Sequence, residues 1–385
     1  MKSISDYVIS LRREIHMHPE IGFDLDNTLS VIRRELDGMG VEYTEKYGKS
    51  SIVATINPEK SDFTIGIRAD IDALPITEET GLPFSSQNEG VMHACGHDAH
   101  TAIAIAATKV LAEMKDSINC RVKVIFQAAE EYPPSGAMLM TKDGVMEDID
   151  EIISLHTDND IPVGRIGIMP GDMNAISDGF TLTFRGKNAH AANQHRGIDA
   201  ISMAIRAYSA IEFMIAKEID PREPIIFNAG TIHGGTANNI IASECSMYCT
   251  LRTFENKTAD RVISKIKAIS TSIAEIDGGS FEYETKKHYP KVYNDPELTA
   301  RVAAVAEKIV GADNIVSKKR SMGGEDFAYF SDEKPGSMFR LGTRNEVRGI
   351  IYGAHTDRFD IDESALEIGV RMFVQYVLDN MNKRS

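Results

Sequence analysis

Apolar positions along this chain follow two periods, and the switches between them mark out its elements. Ile4, Tyr7, Val8, Leu11 and Ile15 recur every three or four residues, which predicts an amphipathic first helix, and 101–113 reads as another helix. Four β-branched apolar runs, at 63–68, 122–126, 151–155 and 349–352, predict strands. Helical patterns at about 100–115 and 136–143 lie among them, so the chain reads as an α/β sheet, in which ligands bind beyond the carboxyl ends of the strands. Each run leads into residues that can do chemistry: Asp70 and Asp72, then Glu130 and Glu131, then His156, then His355.

The stretch Met92-His-Ala-Cys-Gly-His-Asp-Ala-His100 places a thiol, three imidazoles and a carboxylate around Gly96, the composition of a metal site. Residues two apart do not share a face within a helix, so Cys95 and His97 are expected to converge from a loop that Gly96 bends, with the helix starting just after them. Adjacent Glu130 and Glu131 repel one another unless a cation lies between them. A dication there lets one carboxylate bind metal while the other takes and returns a proton. Cys245 and Cys249, evenly spaced on an apolar strand, read as core side chains. His16 and His18, at the end of the first helix, are expected to meet its last carbonyls.

Composition narrows the possibilities. At 385 residues the chain exceeds what one core usually serves, so two domains are expected. A net charge of −15 argues against a nucleic-acid partner, and the lack of an 18-residue apolar run argues against a membrane span. Four cysteines form no disulfide framework, and the first residues read as helix rather than signal peptide, so a cytoplasmic protein with a reduced Cys95 thiolate is expected.

Eight motifs in order carry a resemblance: His16-Met-His-Pro-Glu20, Arg68-Ala-Asp-Ile-Asp-Ala-Leu-Pro75, Met92-His-Ala-Cys-Gly-His-Asp98, Gln127-Ala-Ala-Glu-Glu131, Gly186-Lys-Asn-Ala-His190, Gly234-Gly-Thr-Ala-Asn-Asn-Ile240, Gly324-Glu-Asp-Phe327 and Phe359-Asp-Ile-Asp-Glu363. Over nearly its whole length the chain resembles the two-domain metallo-amidohydrolases that include hippurate hydrolase, auxin-conjugate hydrolases, N-acetyldiaminopimelate deacetylase and aminoacylase-like carboxypeptidases. The resemblance implies a metallopeptidase-like catalytic domain (1–177 and 291–385) and an inserted ferredoxin-like α+β lid and dimerisation domain (178–290). The pattern after Ser177 permits the lid: strand 180–184, helix 198–215, strands near 225 and 246–251, helix 258–276 and a strand from 280, the ferredoxin-like order.

Carried over by residue, the resemblance implies that Cys95, His97, Glu131, His156 and His355 ligate two divalent ions, zinc or manganese with cobalt or nickel as options. Glu130 becomes the general base. Asp72, or Asp70 in its place, orients a ligand imidazole. His190 donates to the oxyanion across a homodimer interface, and Asn239 and Arg252 hold a substrate carboxylate. The implied reaction is hydrolysis of the amide of a small N-acyl amino acid, with a carboxypeptidase or dipeptidase as the alternative and a Cys95-nucleophile hydrolase behind it. Ala128, Tyr132-Pro-Pro134, Gln194 and Ala354-His-Thr-Asp357 depart from the family pattern without removing a ligand or the base.

Overall fold

The structure, a computed structural model, describes residues 3–60 and 62–382, so the first two positions of the expected amphipathic segment fall outside it. The chain divides into two compact units, the first comprising Met1–Met173, Val292–Arg320 and Asp326–Ser385 and the second Asn174–Lys291 with Ser321–Glu325.

An eight-stranded mixed sheet forms the first unit, in the order Glu42–Thr44, Ile52–Ile56, Arg121–Gln127, Thr64–Asp70, Glu151–Pro162, Gly336–Arg344, Ile166–Ile168 and Ile315–Ser317. Its central strands are buried on both faces, which is why they appear in the sequence as continuous apolar runs. Ile153 and Leu155 face one core with helices Ile4–Met17, His97–Glu113 and Ser364–Asn380, while Ile152 faces a second core with Met140 and Phe327. Thr64–Asp70 has a parallel neighbour on each side, Arg121–Gln127 and Glu151–Pro162. Arg68 lies opposite Ser154, so Asp70 at the strand end is level with His156. That is the switch point at which α/β sheets place their ligands.

Two expectations change. The run at 349–352 forms no strand: Ile351 and Tyr352 are exposed and only Ile350 makes an isolated bridge, to Asn345. Gly336–Arg344, carrying Met338, Phe339 and Leu341, holds the place beside Glu151–Pro162. In addition, the helix at 101–113 starts earlier, at His97, with Gly96 as its N-cap.

The second unit has a four-stranded antiparallel sheet in the order Ser280–Tyr289, Ile176–Arg185, Glu244–Thr253 and Ile225–Gly234. Helices Ala200–Glu218 and Asn256–Asp277 pack on one face against Phe180, Leu182, Cys245, Met247, Cys249 and Leu251. Strand–helix–strand–strand–helix–strand in this order is ferredoxin-like.

Candidate metal centre

Gly96 decides the geometry. Its φ of +82° is left-handed, and a Cβ there would lie 2.3 Å from Thr157 Oγ1, so only glycine fits between the ligand loop and the strand. The turn lets Cys95, just outside the helix, and His97, in its first turn, face one point. Ligand atoms of Cys95, His97 and His156 lie within 4.8 Å of one another, with Cys95 Sγ 3.4 Å from His156 Nε2.

Hydrogen bonds select which nitrogens remain available. His97 Nδ1 donates to the Asp72 carbonyl at 2.9 Å, leaving Nε2 in a buried position with no hydrogen-bond partner among the described residues. His156 Nδ1 donates to the Thr157 carbonyl at 2.7 Å, turning Nε2 towards Cys95. Two imidazoles with one nitrogen fixed and the other offered, beside a thiol, form a donor set that fits a thiophilic divalent ion. The third imidazole of the motif is otherwise engaged: Thr157 N–H donates to His100 Nε2 at 2.9 Å and His100 Nδ1 donates to Asp70 Oδ1 at 2.5 Å.

Glu131 adjoins this cluster from the other side. His355 Nε2 lies 2.9 Å from Glu131 Oε1, and Cys95, Glu131 and His355 form a second group of potential ligands, as do His97, Glu130 and Glu131. Three groups that share Cys95, His97 and Glu131 offer room for a pair of ions. His355 sits on a loop with φ +64°, and its N–H donates to the Ala94 carbonyl at 2.7 Å, docking it on the ligand loop.

Asp72 does more than the sequence indicated. Its two carboxylate oxygens accept the backbone N–H groups of Glu130 (3.0 Å) and Glu131 (3.2 Å), while Oδ1 lies 3.4 Å from His97 Nδ1. One side chain thus sets both the glutamate turn, which follows Ala129 at φ +52°, and the His97 imidazole. Asp70 holds His100 and Arg68 and comes within 3.6 Å of His97 Nε2. Thr157, which no motif singled out, fixes His100 through its N–H and His156 through its carbonyl.

Electrostatics follow burial and these partners. Burial pushes the Cys95 thiol up to about 12, against the pull of His97. Burial also holds His156 well below its ordinary value, aided by Arg340 and His100. For His97 burial acts in the same sense, but Asp70 and Cys95 prevail and hold it well above. Asp70 resists its own burial through Arg68, His97 and His100 and stays well below the carboxylate range. A thiol that burial keeps protonated is the reverse of an activated cysteine nucleophile.

Residues 66–379 match the peptidase family M20/M25/M40. The chain belongs to this family. It is 36% identical to thermostable carboxypeptidase 1 of Saccharolobus solfataricus, over 96% of this chain and 94% of that protein. With N-acetyldiaminopimelate deacetylase of Shouchella clausii it shares 34% identity over 96% and 97% of the two chains. A crystal structure of a dinuclear metal binding peptidase of the M20 family from Bacillus subtilis superposes with a TM-score of 0.83 at 30% identity, covering 98% of each chain. This M20/M25/M40 member is an enzyme, a metal-dependent hydrolase of amide bonds.

The remaining expected residues lie in the second unit. His190 and Asn239 sit on facing loops, joined by a bridge between His190 and Ile240 and by the Ala191 N–H donating to the Asn239 carbonyl at 2.9 Å; both side chains are exposed. Arg252 stands on Glu244–Thr253 opposite Ser177. In the first unit His16 departs from expectation: its ring meets Asp98 at 2.7 Å and Glu78 at 3.4 Å, not the last carbonyls of its helix, because the ring is buried against the neighbouring elements.

Proposed function

We propose that this enzyme hydrolyses the amide of small N-acyl amino acids, using two divalent ions held by Cys95, His97, Glu131, His156 and His355. The observation that carries the reading is the set of three interlocking ligand groups, with the Nε2 atoms of His97 and His156 turned inward and Glu130 beside them. When bound, the ions supply Lewis acidity and make water acidic enough to lose a proton near neutral pH. Glu130, mostly buried and held by Asp72 through its backbone, takes that proton as water attacks the carbonyl and returns it to the leaving amine. Asp72 fixes the glutamate turn and the His97 tautomer. The family resemblance assigns His190 to the developing oxyanion and Asn239 and Arg252 to the substrate carboxylate, a group that a guanidinium binds bidentately.

Zinc suits the thiolate and imidazole donors, and manganese, cobalt or nickel suit the carboxylates. Peptide-bond cleavage is the second reading, favoured by the carboxypeptidase relative. A homodimer through the second unit is supported by its edge strand Ile225–Gly234, where Ile226 and Ile232 are exposed, and by exposed Ile205 and Phe213 on Ala200–Glu218. Four free cysteines suit a cytoplasmic setting, and no helix among the described residues is long and apolar enough to cross a membrane. The deciding experiment is a screen of N-acetyl, N-benzoyl and indoleacetyl amino acids against dipeptides, with metal content measured on the same sample. Turnover of the acyl amino acids with about two ions per chain is expected. Turnover of dipeptides alone replaces this reading with the peptidase, and hydrolysis that survives complete removal of metal overturns both.

A further inference from the structure

In the second unit the helices cover one face of the sheet, and the alternate residues Ser177, Gly179, Tyr248, Thr250 and Arg252 lie on the other. A hollow of about 250 Å³ opens there, walled by Arg252, Lys287, Tyr248 and Asn228. Glycine makes the floor: a Cβ on Gly179 would come within 3.0 Å of the Tyr248 hydroxyl and 3.4 Å of Lys287 Cβ. β-Bulges flank it on both sides. Gly230 is the extra residue between the pairs Tyr248–Thr231 and Cys249–Ala229, and Lys286 is the extra residue between Thr285–Phe180 and Lys287–Gly179. Bulges re-aim side chains, and the second brings Lys287 opposite Gly179.

Charge in the hollow is one-sided. Among the described residues no carboxylate lines it, although the chain carries a net charge of −15. Lys286 is paired with Glu284 at 2.5 Å, whereas Lys287 meets no carboxylate among the described residues and rests 3.9 Å over the Tyr289 ring. The half-buried Arg252 guanidinium has no hydrogen bond among the described residues, and Asp178, the acid whose charge acts on it, is itself engaged by His288 Nδ1 at 2.6 Å. Gly324 lies against the guanidinium, where a Cβ would stand 3.0 Å from Arg252 Nη1 and 2.8 Å from Ser177 Cβ, so the glycine of the Gly324-Glu-Asp-Phe327 motif keeps this donor uncovered.

We propose that this hollow is a dianion site in which Arg252 and Lys287 select a ligand bearing two carboxylates, so that the preferred substrate is an N-acylated acidic amino acid. The inference rests on the reading that Arg252 takes the substrate carboxylate. The two cations stand on strands either side of Ile176–Arg185, Arg252 opposite Ser177 and Lys287 opposite Gly179, ~12 Å apart at the backbone. The side-chain-free Gly179 lies between Lys287 and Thr250, next but one to the Ser177 that Arg252 faces, so both long side chains can reach one ligand over the hollow. A single carboxylate on the guanidinium leaves the ammonium unanswered, and a second acidic group satisfies it through a charge-assisted bond.

The test uses the full-length, metal-loaded protein and two non-hydrolysable probes, glutarate and butyrate, titrated with backbone amide NMR detection. Glutarate is expected to shift the Gly179 and Thr250 amides and to bind about tenfold more tightly than butyrate, the worth of one charge-assisted contact. In Lys287→Met the glutarate affinity should fall to that of butyrate, and Lys287→Arg should keep the preference. Equal affinities in the wild type, shifts confined to the metal-ligand loop, or a preference that survives Lys287→Met would each overturn the proposal. Hydrolysis of N-acetyl-glutamate and N-acetyl-alanine by the same wild-type sample tests the functional reading separately. Selective glutarate binding without amide hydrolysis removes that reading and keeps the site; hydrolysis without selectivity does the reverse.

Discussion

Glu130 and Glu131 are chain neighbours with different surroundings, and the difference predicts different failures. Glu131 meets His355 at 2.9 Å and groups with it and Cys95, whereas Glu130 is the proposed base. Glu130→Gln should lower kcat ~10²–10⁴-fold with metal content retained, and Glu131→Gln should lose metal as well. Elemental analysis beside steady-state rates separates the roles, and equal metal loss in both variants would refute them. Cys95 gives a second prediction. Its thiol, pushed up to about 12 by burial, is protonated in the metal-free chain at neutral pH, yet it must be a thiolate to ligate. If Cys95 ligates as proposed, metal uptake should release its proton and affinity should rise with pH across the neutral range. Calorimetry of zinc binding in buffers of different ionisation enthalpy should show that release in the wild type and one proton fewer in Cys95→Ala.

At the scale of elements, the first helix is fastened to the ligand helix by charge. Arg12, 1% exposed, donates to Asp98 at 2.8 Å, Asp360 at 3.0 Å and Glu363 at 3.2 Å, and Asp98 also takes His16. Asp98 follows His97 directly, so Ile4–Met17 braces the start of the helix that carries the proposed ligand His97. Removing one partner of a buried pair strands the other, and Arg12→Leu should cost about 3–5 kcal/mol in urea unfolding. The same network sets a pH dependence. Burial acts against protonated His16, but Asp98 and Glu78 prevail and raise its pKa. A raised folded pKa gives stability that is fully present below the unfolded value of about 6.5 and is lost as pH rises through the folded one. Unfolding free energy should therefore fall on the alkaline side of pH 6.5 in the wild type, and the fall should shrink in His16→Gln. An unchanged pH profile in that variant would assign the loss to other groups.

At the scale of the whole molecule, the proposed homodimer ties assembly to chemistry. Light scattering should give twice the chain mass. His190→Ala should keep its metals and lose ~10²–10³ in kcat, the usual cost of an oxyanion donor. Mixed with Glu130→Gln under conditions of proven subunit exchange, it should regain part of the activity, because a hybrid dimer contains one site with both base and donor. No recovery despite exchange would place His190 in its own subunit's site or outside catalysis, and a monomeric active enzyme would exclude the shared arrangement.

Sequence alone determined the α/β class, because strands buried on both faces must be apolar throughout, and it placed Asp70, Glu130 and Glu131 at or just beyond strand ends. It also gathered Cys95, Gly96 and His97 within three residues, so one ligand loop was legible as a unit. Tertiary structure decided what depends on partners distant in the chain. His100 has the same composition signal as His97, and only the Thr157 N–H and the Asp70 carboxylate distinguish them. His355 was read as the end of a strand that does not form; its loop docks through the Ala94 carbonyl, a backbone contact that leaves no trace in residue type. The Lys287 hollow depends on bulges and pairing register, which a one-residue change in strand alignment would reverse. Residue type reports what a side chain can do, and the fold decides which of its atoms are left to do it.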